Sequence, residues 1–177
     1  MVRTRKLRYS NVGLPNNLLA AIGHVTALFA QLEYIVDSKI SEALALPGAP
    51  KINPRLMVPF NQRLGLLDDL CKQYLTDADS LRFAAKILAD LKQLSGMRNL
   101  IVHGAVAHSK QRRKRRVVYW FRRISWENPA RIVERRGLTV KEVEAFAARL
   151  SDQCASAGMF EVFFWVVHDT LQGRAAR

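Results

Sequence analysis

Cysteine is scarce in this chain, with only Cys71 and Cys154 among 177 residues. Two thiols cannot form the disulfide framework of a small secreted domain, or a metal site built from cysteine alone. No uninterrupted apolar run approaches the roughly 20 residues that span a bilayer, and no apolar signal region follows the basic N-terminus. These absences predict a protein of the reducing cytoplasm without a membrane segment.

The common catalytic signatures are also missing. The sequence contains no phosphate-binding glycine loop, paired-histidine zinc helix, paired-cysteine motif or serine elbow. Two pairs of acids, Glu33 with Asp37 and Asp68 with Asp69, could hold a divalent cation, but such pairs usually lie on solvated helix faces. We therefore predict neither a metal nor any other cofactor.

Acidic residues are few, 15 against 28 lysines and arginines, so the net charge is +13. Residues 1–8 carry +4. Residues 110–136 contain eleven basic and two acidic residues, which is +9, and the remainder is neutral. Concentrated positive charge is typical of proteins that bind a polyanion, usually nucleic acid, although a solubilising surface is the alternative.

What the sequence does contain is a set of long amphipathic stretches. Apolar residues recur at steps of three and four, which is typical of helices with one buried face. The stripes predict four helices, over residues 15–46, 61–75, 80–103 and 139–167. Asp77 or Asp79 can cap the third helix, Gly104 suits its C-terminal end, and Thr139 with Glu142 forms a capping box for the fourth.

Residues 109–116 contain no apolar side chain and are interpreted as a basic loop. Residues 116–136 are predicted to be an arginine-rich β-hairpin with its turn at 128–129. Alternation places Tyr119, Phe121 and Arg123 on one face and Trp120 with Arg122 on the other, one face being turned inward. The basic side chains expected to contact phosphate are Arg112, Arg113, Lys114, Arg115, Arg116, Arg122 and Arg123.

The predicted fold class is therefore all-α. It is a four-helix bundle with a basic β-hairpin inserted between the third and fourth helices. We interpret residues 1–177 as one domain, with a basic arm at 1–13 and a basic loop and hairpin insertion at 109–136.

The segment from Met97 to Gly104 stands out at the end of the third predicted helix. Arg98, followed at once by the polar Asn99 and four residues later by His103, resembles the hallmark of the HEPN superfamily. Gly104 is also common in that motif, and the outline of four helices with the motif on the third is similar. The resemblance covers most of residues 15–172 and leaves out the basic insertion.

This resemblance implies a metal-independent endoribonuclease that acts as a homodimer on RNA. Arg98, Asn99 and His103 would be its catalytic residues, and the products would carry 2′,3′-cyclic phosphate and 5′-hydroxyl ends. Several members of that superfamily are toxins or phage-defence effectors, so the resemblance also implies a nucleotidyltransferase-type antitoxin as a possible partner. The chemistry agrees, since an imidazole moves protons near neutral pH and a guanidinium stabilises a phosphorane.

At about 100° per residue, Arg98 and His103 point about 140° apart on a straight helix. Either the helix distorts at its end, or two copies pool their residues, and we favour the dimer. Glu33 is a candidate to orient Arg98. The alternative is structural, with Arg98 paired to a carboxylate and His103 capping the helix.

Two other functions remain open from the sequence. One is a catalytically silent module that binds nucleic acid or a protein through its basic patches. The other is a protein-interaction subunit of a larger complex, with the hairpin as its docking element. A fold resemblance alone does not decide among them.

Overall fold

The computed structural model describes residues 13–52, 59–113, 116–124 and 132–158. They form four helices and three strands in the order α1 Asn16–Leu44, α2 Phe60–Tyr74, α3 Ala78–His103, β1 Ala105–Arg113, β2 Arg116–Ile124, β3 Ile132–Leu138 and α4 Val140–Gly158. The predicted basic arm lies outside the described residues except for position 13. The predicted last helix is described as far as Gly158, and its continuation to residue 167 lies outside the described residues.

The helix starts follow the local signals in the sequence. Asp77, rather than Asp79, caps α3, and its side chain accepts a hydrogen bond from the Ser80 amide at 2.7 Å. At α4 the Glu142 carboxylate accepts from the Thr139 amide at 2.7 Å, and the Thr139 hydroxyl accepts from the Glu142 amide at 3.3 Å. This reciprocal pair confirms the predicted capping box.

The four helices pack in a bundle-like arrangement around α1. This helix contacts α4 along much of its length and also contacts α2 and α3. Its predicted stripe is confirmed, since these side chains are buried: Leu18, Val25, Phe29, Leu32, Val36, Ile40 and Ala43. Each removes apolar surface from water, which stabilises the fold by roughly 25 cal/mol per Å².

One helix bears on the expectation that no segment spans a membrane. By length and composition, Asn16–Leu44 is apolar enough to cross a bilayer. A search for uninterrupted apolar runs misses it because isolated polar residues break the run. The core helix of a bundle passes the same test, and the buried stripe of α1 packs against the other three helices.

The insertion between α3 and α4 is larger than the predicted hairpin. It is a three-stranded antiparallel sheet with the order β1-β2-β3. Residues 109–113, predicted to be loop, belong to β1, where Arg112 lies opposite Val117 and Arg113 opposite Arg116. The polar run carries no strand pattern of its own, and its backbone is extended because β2 supplies the hydrogen-bonding partner.

One face of the sheet packs on the helices, as alternation predicts. Phe121 is fully buried, and Tyr119 packs against the same core. Trp120 projects from the opposite face and lies over Gly137 of β3, where an added Cβ would come within 3.2 Å of the indole ring. Glycine at this position therefore allows the indole to lie close to the strand.

Candidate functional site

Arg98 and His103 meet within a single chain. Arg98 Nη1 lies 2.9 Å from His103 Nε2, although α3 runs without interruption to His103. A straight helix therefore brings the two side chains into contact, and the pooling of residues in a dimer stays a prediction. The angle of 140° describes Cα directions, whereas five residues rise only about 7.5 Å, a distance that a long arginine side chain can cover.

The chemistry of the two groups assigns their roles in this contact. A guanidinium can only donate hydrogen bonds, so His103 Nε2 accepts, and in the neutral ring the proton is on Nδ1. Arg98 Nη1 also donates to Asn99 Oδ1 at 3.0 Å. The three residues of the motif thus form one hydrogen-bonded group with Arg98 at its centre.

An aromatic ring packs against the guanidinium of Arg98. Its guanidinium carbon lies 4.7 Å from the ring centroid of Phe29 on α1, which is a cation–π contact. Its Nε is buried, and neither Nε nor any other guanidinium nitrogen bonds a carboxylate within the described parts of the chain. The structural alternative, an Arg98–carboxylate pair, is not found there.

Glu33 pairs with Arg63 of α2 instead of with Arg98. Arg63 Nη2 donates to Glu33 at 2.9 Å, and Arg63 Nη1 donates to Asp37 at 2.6 Å. Arg63 also lies 5.4 Å from the centroid of Phe60, and Phe60 meets Phe29 edge-on at 4.9 Å. Because Arg63 compensates both acids, the positive charge of Arg98 stays available for an anion.

Gly104 joins the motif to the sheet. Its backbone is extended, with φ of −73°, so it does not adopt the left-handed cap conformation expected of a helix-ending glycine. A Cβ at this position would overlap the Leu100 carbonyl oxygen and lie 3.5 Å from the Arg122 amide nitrogen. Glycine is needed here because a side chain would collide with the carbonyl of Leu100 in the last turn of α3, whereas the distance to β2 is an ordinary van der Waals contact.

The sheet begins where the motif ends. β1 starts at Ala105, and Ala105 lies opposite Arg122 in the register with β2. On the face away from the helices, Arg135 of β3 stacks on Trp120 with its guanidinium carbon 4.3 Å from the ring centroid. Arg123 lies 3.7 Å from Glu134, an ion pair that is open to solvent.

The structure distributes the predicted RNA-binding residues along this sheet. Arg112 and Arg113 end β1, Arg116 begins β2, and Arg122 with Arg123 lies at its other end, nearer the motif. Lys114 and Arg115 lie outside the described residues. Sequence reasoning missed Arg135, whose only signal is its position opposite Arg122 in β3.

Sequence reasoning also missed Phe29, which packs against Arg98, and Arg63, which pairs with Glu33. Phe29 belongs to the apolar stripe of the first helix, and nothing in the sequence links it to Arg98. One sequence signal points towards Arg63. Glu33 and Asp37 are four residues apart on α1, so their like charges repel each other and a cation between them is stabilising.

A cavity of about 260 Å³ opens beside Arg98 and Asn99, between α1, the start of α2 and α3. No cluster of three or more potential metal ligands occurs among the residues that the structure describes. No protein-family model, no curated protein and no solved structure matches this chain.

Proposed function

We propose that the protein is a metal-independent endoribonuclease with its active site at Arg98, Asn99 and His103. The observation that carries the proposal is the 2.9 Å contact between Arg98 and His103. It holds a permanent cation and a proton acceptor side by side, and no carboxylate in the described chain neutralises the cation. Both groups that RNA cleavage by the 2′-hydroxyl requires are therefore present.

The contact also suggests how substrate activates the site. A phosphate oxygen is a charged acceptor and competes with the imidazole for the Arg98 donor. When phosphate takes that donor, the Nε2 lone pair of His103 is released and can accept the proton of the 2′-hydroxyl. The 2′-oxygen then attacks phosphorus, the bond to the 5′-oxygen breaks, and Arg98 stabilises the charge on the phosphorane.

The leaving 5′-oxygen must gain a proton. In the proposed homodimer, a second copy of His103 in the imidazolium form supplies it, which leaves a 2′,3′-cyclic phosphate and a 5′-hydroxyl. The imidazolium formed on the first copy then restores the proton balance by exchange with water. The dimer thus serves proton transfer, since a single chain already brings Arg98 and His103 together.

The basic sheet is proposed to hold RNA next to this site. Arg122 lies opposite Ala105, two positions after His103, so the arginines of β2 and β3 continue directly from the motif. Arg135 covers the ring of Trp120 and presents a planar cation on the outer face. Guanidinium planes stack on unpaired bases and also bind phosphates, so the surface fits single-stranded RNA.

The wider biology of the proposal rests on the resemblance of the Arg98–His103 motif to the HEPN superfamily. On that basis we propose a homodimeric toxin or phage-defence effector of the cytoplasm. A nucleotidyltransferase-type antitoxin is the proposed regulatory partner. The four helices and the position of the motif at the end of the third support the resemblance.

The test is cleavage of transfer RNA and of mixed single-stranded RNA in excess EDTA, with the fragment ends identified. We expect His103→Ala to lower the rate about 10²- to 10⁴-fold without changing the free energy of unfolding. His24→Ala, which removes an exposed histidine of α1, is the matched control and should retain full activity. Equal cleavage by wild type and His103→Ala would contradict the proposal.

Nucleic-acid binding without cleavage is the second candidate function, and the basic outer face of the sheet favours it. In that case wild type and His103→Ala bind RNA with the same salt dependence, and neither cuts it. Weak RNA affinity at low salt would exclude both functions and favour a protein-interaction subunit.

A further inference from the structure

The cavity beside the motif has one apolar wall and several unused polar groups. Its volume is about 260 Å³, below the range of roughly 300–1,000 Å³ that is typical of drug-sized ligands. It therefore suits one small ring system rather than a longer ligand. Helices α1, α2 and α3 all contribute to its lining, through Phe29 and Glu33, Phe60 and Asn61, and Ser95 and Asn99.

The polar groups of this cavity retain hydrogen-bonding capacity. Arg63 uses one oxygen of Glu33, Oε1, and the other oxygen has no hydrogen-bond partner in the described chain. The amide of Asn61 and the hydroxyl of Ser95 make no side-chain hydrogen bond there either. Asn99 uses only Oδ1, for Arg98, so its amide nitrogen remains a free donor.

The lining combines the chemical groups that a flat molecule with a polar edge requires. Phe29 and Phe60 supply its aromatic part, and a carboxylate, amides and a hydroxyl supply its polar part. Arg98 lines the same cavity, so a ligand that enters it also reaches the cation proposed to bind the scissile phosphate. A nucleotide of the bound RNA has this composition, with a planar base joined through ribose to a phosphate.

We propose that the cavity is a specificity pocket for the nucleobase that flanks the scissile phosphate, and that guanine fits it best. The inference rests on the proposed function, because it assumes that Arg98 binds an RNA phosphate. Guanine presents two adjacent N–H donors on its Watson–Crick edge. Glu33 can accept a hydrogen bond from each, one on its free oxygen and one on Oε1, which would then accept from both guanine and Arg63. An amide donor can bond the guanine carbonyl oxygen. Proteins read single-stranded RNA through such edges.

Measurements of nucleotide binding test this proposal independently of RNA cleavage. The affinities of GMP, AMP, CMP, UMP and ribose 5-phosphate are measured by calorimetry on the full chain. Wild type should bind GMP at least about fivefold more tightly than AMP, the pyrimidine nucleotides or ribose 5-phosphate, as a bidentate base contact predicts, and equal binding of AMP and GMP would contradict the choice of guanine. Equal affinities for all five compounds, or no binding of GMP, would overturn the pocket.

Glu33→Gln and Asp37→Asn form a matched pair of variants. Each removes one of the two carboxylates bound by Arg63, but only Glu33 lines the cavity. Glu33→Gln should lose the preference for GMP, whereas Asp37→Asn should keep it, and thermal unfolding checks that both fold. A GMP preference unchanged in Glu33→Gln would also overturn the proposal.

The two proposals fail in different ways. Preferential GMP binding that depends on Glu33, in a protein that cuts no RNA, would retain the base pocket and remove the ribonuclease. Cleavage that depends on His103 but shows no preference for the flanking base, together with equal binding of the five compounds, would do the reverse.

Discussion

Arg98 Nη1 and His103 Nε2 lie 2.9 Å apart in the same chain, as the donor and acceptor of one hydrogen bond. The two groups proposed for catalysis therefore occupy each other in the absence of substrate. In the proposed mechanism, a phosphate that binds Arg98 would separate them and free the histidine lone pair. Coupling of this kind makes the proton acceptor available only when the substrate is in place.

Arg98→Lys tests whether the shape of the cation matters. Lysine keeps the charge but loses the planar fork and the stacking on Phe29. We expect the cleavage rate to fall about 10²-fold or more. Arg82→Lys, an exposed arginine on the same helix, is the control and should leave the rate unchanged. A rate within a few-fold of wild type in Arg98→Lys would argue against specific recognition by the guanidinium.

Gly104→Ala tests the close approach of residue 104 to the last turn of α3. The new methyl group would overlap the Leu100 carbonyl oxygen, which is backbone and cannot rotate away. We expect a loss of about 1–3 kcal/mol in the free energy of unfolding, measured by urea denaturation. Gly96→Ala is the control, since its added Cβ meets nothing within 4 Å, and in a helix interior it should stabilise by up to about 1 kcal/mol.

Asp77 tests the cap of α3 through pH. Hydrogen bonding from Ser80 lowers the pKa of Asp77 below its ordinary value of 3.8. A carboxyl whose pKa is lowered by folding stabilises the protein above that ordinary value and loses the effect as pH falls through the folded pKa. Wild type should therefore be more stable than Asp77→Ala at neutral pH, and the difference should shrink below about pH 4. A difference independent of pH would mean that the carboxylate charge plays no part in the cap.

Arg135 tests the outer face of the sheet as an RNA surface. If its guanidinium binds one phosphate, Arg135→Ala should reduce the slope of log K against log salt by about 0.7, the value for a single-stranded ligand. Arg149→Ala removes an exposed arginine of α4 and should leave the slope unchanged. The measurement is the fluorescence anisotropy of a labelled single-stranded RNA across a salt series. Equal slopes in the two variants would place RNA elsewhere.

Most of the helical part of the fold could be predicted from local patterns. The starts and ends of α1, α2 and α3 lie within two residues of the predicted ones, because apolar periodicity, prolines and caps act over a few residues. The capping box at Thr139 was confirmed for the same reason. The basic run at 109–113 was misread because a strand of polar residues depends on its neighbour, and sequence alone does not show pairing.

The candidate site, like the fold, could be predicted only in its local part. Arg98, Asn99 and His103 could be singled out as a motif, but their contact could not, since the reach of an arginine side chain depends on what packs beneath it. Glu33 is predicted to orient Arg98, but in the structure it pairs with Arg63. The sequence does not show this pairing because Arg63 comes from another helix.

By itself the sequence determined four amphipathic helices, the capping box of the fourth and the two concentrations of positive charge, and it singled out Arg98, Asn99 and His103 as a motif. Tertiary structure decided that Phe29 supports Arg98, that Arg63 takes up the charge of Glu33, and that the basic run joins a three-stranded sheet. The physical reason is the separation along the sequence between the residues that interact. Periodicity and capping depend on residues within a turn of one another, whereas cation–π contacts, ion pairs between helices and strand pairing depend on which surfaces the folded chain brings together.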